Sequence, residues 1–386
     1  MPFVYTCLSP CHLRTCCIAT LLCLGACGGG GADDAVRTAP SSSSYVGRCQ
    51  LPASSPGALV LPAPTGEHCI GKARFQLVDG ARAETHSADK SDRRELSVTV
   101  WYPTAATAEG RRADYWLPMV AALVKAQMSV PLTAPDVQTN ARAATAMEPG
   151  RIYPVVIFSP GYGMVVETYS ALMEDLASHG RIVVAIDHPY ISGATPMANG
   201  QVVQALAGPA ADQRLPAFLD EAVATLVADQ RFVLDWLQGP DTGVLGGHLD
   251  LGHTGLVGHS IGGAAAIQTA RADQRVKAGL DIDGTVYGSI AGLWQKPLMF
   301  LLGSDHVGDL TIEMVLRLAA GPTRSVTVQD AGHLDFSDLK WLLSFYVPGL
   351  SPSALAAQGL GPVEASRALQ ITRRETLSFL QQSVGP

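Results

Sequence analysis

A serine between two glycines is the feature of this chain best suited to chemistry. Residues 258–262 read Gly-His-Ser-Ile-Gly and place Ser260 at the centre of a G-x-S-x-G pentapeptide. An apolar run at 254–257 precedes it, and helix-forming residues follow from 263 onwards. In a strand–turn–helix setting the glycines permit a sharp bend that exposes the hydroxyl, and the helix N-terminus points at the reacting oxygen. The pattern predicts that Ser260 is a catalytic nucleophile.

One histidine is well placed as the base that such a serine needs. A serine hydroxyl is a weak nucleophile near neutral pH, and its base must itself be oriented by a carboxylate. His333 lies in the loop 330–336 after the last predicted strand, where the base is expected. His259, inside the pentapeptide, is expected to pack or to shape the site. His188 follows another predicted strand and is a candidate pocket residue, with a structural turn role as the alternative.

Two aspartates are candidates for the orienting carboxylate. Asp283 ends the predicted strand 278–282, and Asp305 follows the next predicted strand, 297–302. Both come after the serine and before His333, which is the order expected for this arrangement. The residues alone leave both candidates open.

An oxyanion hole built from two backbone N–H groups is expected beside the serine. One N–H should come from Ile261, directly after Ser260. The other should come from the turn 159–163 that follows an apolar strand, and Tyr162 is the better candidate there. Gly161 is expected to line the same pocket. The Tyr162 ring could cover the acyl group or simply pack.

Alternating strand and helix patterns must position these residues, and they indicate parallel βαβ units. We predict an α/β-hydrolase fold, with a mostly parallel eight-stranded sheet, helices on both faces and a partial lid insertion. The predicted strands are 73–78, 96–102, 153–158, 181–186, 252–257, 278–282, 297–302 and 325–328. The predicted helices are 166–178, 218–238, one running from Ser260 to 271, and 363–381.

Two stretches, 114–150 and 189–216, do not belong to the minimal core of the predicted catalytic domain, 71–386. The first combines a helical pattern with a Pro/Ala-rich tail, and the second is irregular. Both leave the core on connections between its elements. They are candidates for a partial lid over the site, and surface decoration is the alternative.

Composition excludes several classes of function. The chain has 386 residues, of which 47% are hydrophobic and 16% charged, with a net charge of −7. No dense Lys/Arg cluster is present, so nucleic acid is not an expected partner. All eight cysteines lie within the first 69 residues. The nucleophile is therefore not a thiol, no cysteine-based metal site is expected in the catalytic domain, and the serine chemistry needs no metal or organic cofactor.

The N-terminus predicts export. Residues 1–27 fit a signal peptide, because Arg14 precedes an apolar stretch at 16–26 that is too short to span a bilayer. Residues 24–27, Leu-Gly-Ala-Cys, resemble the lipobox of bacterial lipoproteins, which would make Cys27 a lipidated membrane anchor. A plain signal peptide cleaved nearby is the alternative. The protein is accordingly expected in the periplasm or cell envelope, or secreted.

The segment 28–70 is predicted to be a flexible linker that carries two further cysteines. Its glycine tether and its Ser/Pro-rich composition are typical of such linkers. In an oxidising compartment, Cys49 and Cys69 are the natural disulfide pair. Two unpaired thiols are the alternative.

Taken together, these motifs resemble the secreted or type II platelet-activating-factor acetylhydrolase family of α/β-hydrolases over most of residues 75–340. The resemblance is carried by the segments 94–103, 158–163, 176–180, 186–189, 258–263, 281–284 and 332–333. In that family the catalytic acid follows the earlier of the two strands, which favours Asp283 over Asp305. The second oxyanion donor of the family falls on Tyr162. The resemblance implies a serine carboxylic-ester hydrolase that acts, without calcium, on short or oxidised acyl esters of phospholipids.

Three features point to alternatives. Mammalian members have His-Gly at the position of Pro160 and Gly161, and the sequence found here looks like the cutinase and polyester-hydrolase branch, whose acid stands where Asp305 does. A non-catalytic surface binding protein on the same fold is permitted by the lipoprotein-like start. Residues 281–285, Asp-Ile-Asp-Gly-Thr, also fit the motif of haloacid-dehalogenase-type phosphatases, which use Mg²⁺. That motif normally opens its domain, whereas here it lies late in the chain.

Overall fold

The computed structural model describes residues 42–209 and 215–385. The predicted signal peptide, 1–27, and its Cys27 lie outside the described residues. In the described ranges no helix is both long enough and apolar enough to cross a bilayer.

The described residues build a large, mostly parallel β-sheet. Its spatial order is β1-β5-β2-β3-β7-β6-β10-β11-β12-β13, with β4 paired to β5, and β8 and β9 form a separate two-stranded sheet. The strands are β1 (Leu59–Val60), β2 (Cys69–Ala83), β3 (Arg93–Thr104), β4 (Arg112–Asp114), β5 (Val137–Ala143), β6 (Tyr153–Ser159), β7 (Ile182–Asp187), β8 (Thr195–Pro196), β9 (Val202–Val203), β10 (Leu249–His259), β11 (Val276–Ile282), β12 (Leu298–Leu302) and β13 (Thr323–Thr327).

All eight predicted strands are present, but the described sheet has eleven, so the predicted number is wrong. The additional strands are β1, β4 and β5. β5 reads V-Q-T-N-A-R-A, and its polar residues are buried against partners instead of facing water. Asn140, for example, donates its backbone N–H to the Glu174 carboxylate at 2.9 Å. A strand whose buried positions are polar lacks the apolar pattern on which sequence-based assignment depends.

Helices cover both faces of the sheet, as predicted. Alternate residues of β6 divide between the faces, because successive strand residues point to opposite sides. Val156 and Phe158 pack in the cluster that contains the helices Ser170–Ser178 and Ala365–Ser383. Val155 and Ile157 pack in the cluster that contains the helices Leu215–Gln238 and Ile261–Ala272. The helices are α1 (Ser42–Arg48), α2 (Pro118–Gln127), α3 (Ser170–Ser178), α4 (Leu215–Gln238), α5 (Ile261–Ala272), α6 (Leu310–Leu318), α7 (Leu339–Tyr346), α8 (Pro352–Ala356) and α9 (Ala365–Ser383).

The two predicted insertions have different places in the fold. In the first, 114–150, β5 adds a parallel strand beside β2, and α2 reaches the cavity described below through Gln127. In the second, 189–216, Gly193 and residues 204–209 line the same cavity. Both stretches therefore contribute walls near the candidate site, and the first also extends the sheet.

The predicted disulfide between Cys49 and Cys69 is confirmed, with Cα atoms 5.5 Å apart. The bond joins the residue after α1 to the first residue of β2. Closing a loop of this length stabilises a fold by about 3 kcal/mol, mainly by constraining the unfolded chain. Tyr45 is fully buried and Arg142 donates to the Cys49 carbonyl at 2.8 Å. Within the predicted linker, 28–70, Tyr45, Cys49 and Cys69 are buried against the domain, whereas residues 52–57 are exposed to solvent.

Candidate active site

Ser260 occupies a strained bend between β10 and α5. Its backbone angles are φ 56° and ψ −127°, and its N–H donates to the Ile282 carbonyl at 2.8 Å. A positive φ in a residue with a side chain costs about 1–3 kcal/mol and persists only where the surroundings enforce it. A Cβ on Gly262 would lie 2.2 Å from the Ser159 carbonyl oxygen, and one on Gly258 would lie 2.2 Å from Gly262. The two glycines of the pentapeptide are therefore required by the close approach of the backbone at this bend.

The imidazole of His333 is held by Asp283. His333 begins a short 3-10 helix, His333–Phe336, and its Nδ1 lies 2.7 Å from Oδ2 of Asp283. Because the carboxylate can only accept, Nδ1 carries the proton and Nε2 is left to act as a base. The other carboxylate oxygen of Asp283 accepts the Gly303 N–H at 2.6 Å.

A second imidazole also contacts Asp283. Nδ1 of His306 lies 3.0 Å from Oδ1 of Asp283. Burial would raise the pKa of Asp283, but the contacts with His306 and His333 outweigh burial and hold this pKa well below its usual range. Burial in turn lowers the pKa of His306, whereas Asp283 raises it, and the net shift is upward. Asp283 therefore remains ionised between two imidazoles.

Asp305, the alternative acid, does not occupy this position. It lies on the 3-10 helix Ser304–His306 with its side chain exposed to solvent. Its neighbour His306 points to Asp283 instead. The geometry thus pairs His333 with Asp283 and leaves Asp305 at the surface.

Ser260 and His333 line one cavity of about 570 Å³. Gly161, Tyr162 and Ile261, which the sequence placed at the oxyanion hole or pocket, line it as well. Further walls come from α4 and from residues 204–209, 306 and 358–359. The volume lies within the range of about 300–1,000 Å³ that is usual for small-molecule sites. The cavity therefore brings the candidate serine, base and oxyanion residues to one surface.

The turn after β6 is anchored on both sides of Tyr162. The Gly161 N–H donates to the Tyr169 hydroxyl at 3.3 Å, and the Gly163 N–H donates to the Ile191 carbonyl at 2.9 Å. Ile261, the other candidate donor, is the first residue of α5, and the N–H of a first helical residue has no acceptor within its helix. The two candidate donors thus lie on separate elements, the anchored turn after β6 and the start of α5.

His259 connects this turn to the loop of His333. The His333 carbonyl can only accept, so Nε2 of His259 donates to it at 2.8 Å and Nδ1 accepts from the Tyr169 hydroxyl at 2.8 Å. Burial, followed by the charge of His333, lowers the pKa of His259 to about 3. His259 is therefore neutral near pH 7. Among the described residues, His259, Asp283 and His333 place nitrogen and oxygen atoms of the kind that bind metals within 4.8 Å of one another. Hydrogen bonds within the protein, however, already occupy both His259 nitrogens and Nδ1 of His333.

His188 is fully buried and lies away from the cavity lining, so its candidacy as a pocket residue is wrong. Its Nδ1 lies 2.8 Å from Oδ2 of Asp229, and its Nε2 lies 3.0 Å from the Ser159 hydroxyl. Asp229 also accepts from Arg94 Nη2 at 2.7 Å, and Gln230 Nε2 donates to Ser159 at 2.9 Å. We call Ser159, His188, Asp229 and Gln230 the buried network.

Sequence reasoning missed the buried network, although one signal for it existed. Asp229 and Gln230 fall between Leu226 and Val233, on the apolar stripe with which α4 contacts the core. A polar side chain at such a position is buried and requires a partner. His306 was also missed as a contact of Asp283, since spacing does not show where the turn after β12 directs its side chains.

Asp281 does not support the phosphatase-type interpretation. Its carboxyl group is buried beneath the serine bend, where a Cβ on Gly263 would lie 2.0 Å from Oδ1. Burial raises its pKa well above the usual range. It is not part of the cavity lining. A carboxyl group enclosed in this way is not placed to attack a substrate.

Comparison with known proteins identifies a family for the chain. Residues 53–208 and 237–385 match the family model described as platelet-activating factor acetylhydrolase, isoform II. The chain belongs to this family. The resemblance inferred from the sequence motifs is therefore confirmed, as is the α/β-hydrolase fold.

Relatives of the acetylhydrolase family and one esterase structure are similar to the chain. Platelet-activating factor acetylhydrolase of Cavia porcellus is 26% identical over 282 residues, which is 65% of this chain and 62% of that protein. A probable 1-alkyl-2-acetylglycerophosphocholine esterase of Arthroderma benhamiae is 24% identical, over 62% of each chain. The matches thus span less than two thirds of these two relatives. A ferulic acid esterase structure from Streptomyces cinnamoneus is 31% identical, with a TM-score of 0.74, over 85% of this chain and 93% of that one.

Proposed function

We propose that the protein is a serine carboxylic-ester hydrolase that works through an acyl-enzyme. The observation that carries the proposal is the 2.7 Å contact between Asp283 and His333, whose ring lines the same cavity as Ser260. Membership of the acetylhydrolase family and the similarity to an esterase structure support it.

In the proposed mechanism each step has its own residue. Ser260 Oγ attacks the ester carbonyl carbon while Nε2 of His333 takes its proton, and Asp283 stabilises the resulting imidazolium. The N–H groups of Tyr162 and Ile261 donate to the oxyanion of the tetrahedral intermediate. Collapse breaks the bond to the alcohol, which leaves with the proton from His333. Water then attacks the acyl-enzyme with His333 again as base, releasing the carboxylic acid and restoring Ser260.

The proposed substrate is a short-acyl ester, with phospholipids of the platelet-activating-factor type as the first class to test. The names of the relatives support that class. A cutinase- or polyesterase-like preference is the alternative, and it is supported by the sequence Pro160-Gly161-Tyr162. Export, with or without a lipid on Cys27, is part of the proposal. The disulfide supports it, because such bonds persist in oxidising compartments and are rare in the cytosol.

A Ser260→Ala variant tests the proposal directly. We expect turnover of p-nitrophenyl acetate to fall by at least about 10⁴-fold, since removing one member of a triad leaves only the oxyanion hole and binding. Fluorophosphonate labelling should disappear in the same variant. Ser353 is exposed on α8, and Ser353→Ala is the matched control, which should keep full activity. Wild-type protein that neither turns over esters nor takes the label would instead support a non-catalytic binding protein.

A further inference from the structure

A second cavity of about 260 Å³ adjoins the catalytic cavity. The two share Gln127, Gly163, Met164, Gly193 and Gln358 as lining residues. The second cavity extends from this shared boundary between α2, α7 and α8. It is therefore a side chamber of the catalytic cavity, and we refer to it as the side chamber.

The side chamber has the chemistry of a site for an apolar chain. None of its lining residues in the described ranges is charged. Most of its side chains are aliphatic or thioether, including Val124, Met128, Val165, Leu339, Leu343 and Val347. An alkyl chain placed there would leave water without requiring a polar partner, which is favourable by about 0.8 kcal/mol per methylene, or about fourfold in affinity.

The boundary between the two cavities combines a tight backbone contact with flexible side chains. At Gly193 a Cβ would lie 2.2 Å from the Gly163 carbonyl oxygen, so these two residues form a tight backbone contact. Gln127 and Gln358 are half-buried and unbranched, and Met164 is a flexible thioether. The residues shared by the two cavities are therefore three unbranched, flexible side chains and two glycines.

We propose that the side chamber binds an unbranched alkyl chain of the ester substrate. This inference rests on the proposed function, and it extends the substrate class to esters that carry such a chain. Whether the chain belongs to the acyl or to the alcohol part is decided by the experiment. The chain runs from the carbonyl carbon at Ser260 past Gln127 and Gln358 into the side chamber.

An Ala354→Trp variant tests this. Ala354 lines the side chamber from α8, and a tryptophan there fills it, whereas Ala356→Trp on the same helix points to solvent. The measurement is kcat/KM along two series, p-nitrophenyl esters from acetate to decanoate and alkyl acetates from ethyl to decyl. We expect wild type and Ala356→Trp to gain about fourfold per methylene over several carbons in one series. In Ala354→Trp, the ratio of kcat/KM for the longest ester of that series to kcat/KM for the shortest should fall at least tenfold.

The outcome separates the two proposals. Hydrolysis of the shortest esters reports the proposed function, and the length dependence reports the side chamber. A flat length dependence in wild type, or the same slope in Ala354→Trp as in wild type, would overturn the assignment of the side chamber while leaving the esterase proposal intact. Absence of all ester turnover would overturn both.

The buried network carries a second, independent inference. Thr269 Oγ1 donates to Gln230 Oε1 at 2.6 Å, which fixes the amide so that its nitrogen donates to Ser159. The Ser159 hydroxyl therefore donates to His188 Nε2, and His188 Nδ1 donates to Asp229. Every one of these side chains is fully buried. The Ser159 hydroxyl is therefore hydrogen-bonded on both sides, to His188 and to Gln230, and it cannot reach a substrate.

The turn 160–164, which follows β6 and carries Tyr162, is referred to here as the oxyanion turn. The buried network is attached to the oxyanion turn at both ends. Ser159 is the last residue of β6 and directly precedes that turn. His188 begins a turn in which its N–H donates to Ser192 Oγ at 2.8 Å. That turn is joined to the oxyanion turn by two backbone hydrogen bonds of 2.9 Å, from Gly163 to the Ile191 carbonyl and from Gly193 to the Met164 carbonyl.

We infer that Ser159, His188 and Asp229 are positioning residues for the Tyr162 N–H. A Ser159→Ala variant should lower kcat about 10-fold or more, toward the 10²–10³-fold cost of losing one oxyanion donor, while KM changes less than threefold. Thr372→Ala removes an equally buried hydroxyl from α9 and serves as the control for destabilisation. It should lower Tm without lowering kcat per folded molecule. If Ser159→Ala behaves in the same way, the network is merely structural and the inference fails.

Discussion

The described part of the chain brings together two sets of serine, histidine and aspartate, and their surroundings differ. Asp283 and His333 are 2.7 Å apart, and Asp229 and His188 are 2.8 Å apart. Ser260 and His333 line the catalytic cavity, where the His333 side chain is 23% exposed, whereas the buried network has no exposed side chain. The same three functional groups are thus arranged once at a cavity and once in the interior, and access separates their roles.

Backbone and charge also differ between the two sets. Ser260 has φ 56° at a bend, whereas Ser159 ends a regular strand. Asp283 lies between two imidazoles, which can change protonation. Asp229 lies between His188 and the guanidinium groups of Arg94 and Arg82, which cannot. The set at the cavity therefore permits proton movement, and the buried set fixes a geometry.

The largest expected effect is on activity and comes from the set at the cavity. Asp283→Asn should lower kcat by about 10⁴-fold, because an amide at this position favours the wrong tautomer of His333. Stability should change far less than activity. Asp305→Asn is the matched control, because its exposed carboxyl lies on the next strand connection, and it should stay within twofold of wild type. Steady-state hydrolysis of p-nitrophenyl acetate measures both, and the reverse pattern would assign the acid to Asp305.

The elements of the fold that could be predicted from the sequence are those whose buried side chains are apolar. Strands such as β6 and β12 are mainly apolar runs and were predicted within one residue at each end. β5 and the buried network were missed, because their buried positions are polar and are stabilised by partners distant in sequence. The side chamber was missed for a related reason, because its walls α2, α7 and α8 are far apart in the sequence and come together only in the folded protein. Ser260, His333 and Asp283 could be proposed because local motifs and chain order constrain them.

The second-largest expected effect is on stability, and it comes from the buried network. Asp229→Asn should lower the free energy of unfolding by about 3–5 kcal/mol, because the buried Arg94 loses the carboxylate that accepts from its Nε and Nη2 and keeps only Glu84 as an acidic partner. Chemical denaturation at pH 7 measures this change. Asp235→Asn, on the exposed side of the same helix, is the matched control and should change stability by less than about 1 kcal/mol. A loss for Asp229→Asn no larger than that of the control would show that the buried charges are not interdependent.

The smallest expected effect is a pH dependence of stability that comes from the buried imidazole of His188. Burial lowers the pKa of His188 below its ordinary value of 6.5, although Asp229 acts in the opposite direction. Below pH 6.5 the unfolded chain therefore binds a proton at this residue that the folded chain does not bind. The contribution of His188 to the free energy of unfolding should fall as the pH falls, by up to about 1.4 kcal/mol per pH unit.

A His188→Gln variant isolates this contribution from those of other buried groups. Burial raises the pKa of Glu174 and of Asp338 to about 7, so their contributions increase as the pH falls and oppose that of His188. Both groups are present in wild type and in variant, and they cancel in the difference between the two. Between pH 6.5 and 5, the stability advantage of wild type over His188→Gln should shrink steadily. A difference that is constant over this range would mean that His188 takes up its proton in the folded protein as readily as in the unfolded chain, and burial would then not lower its pKa.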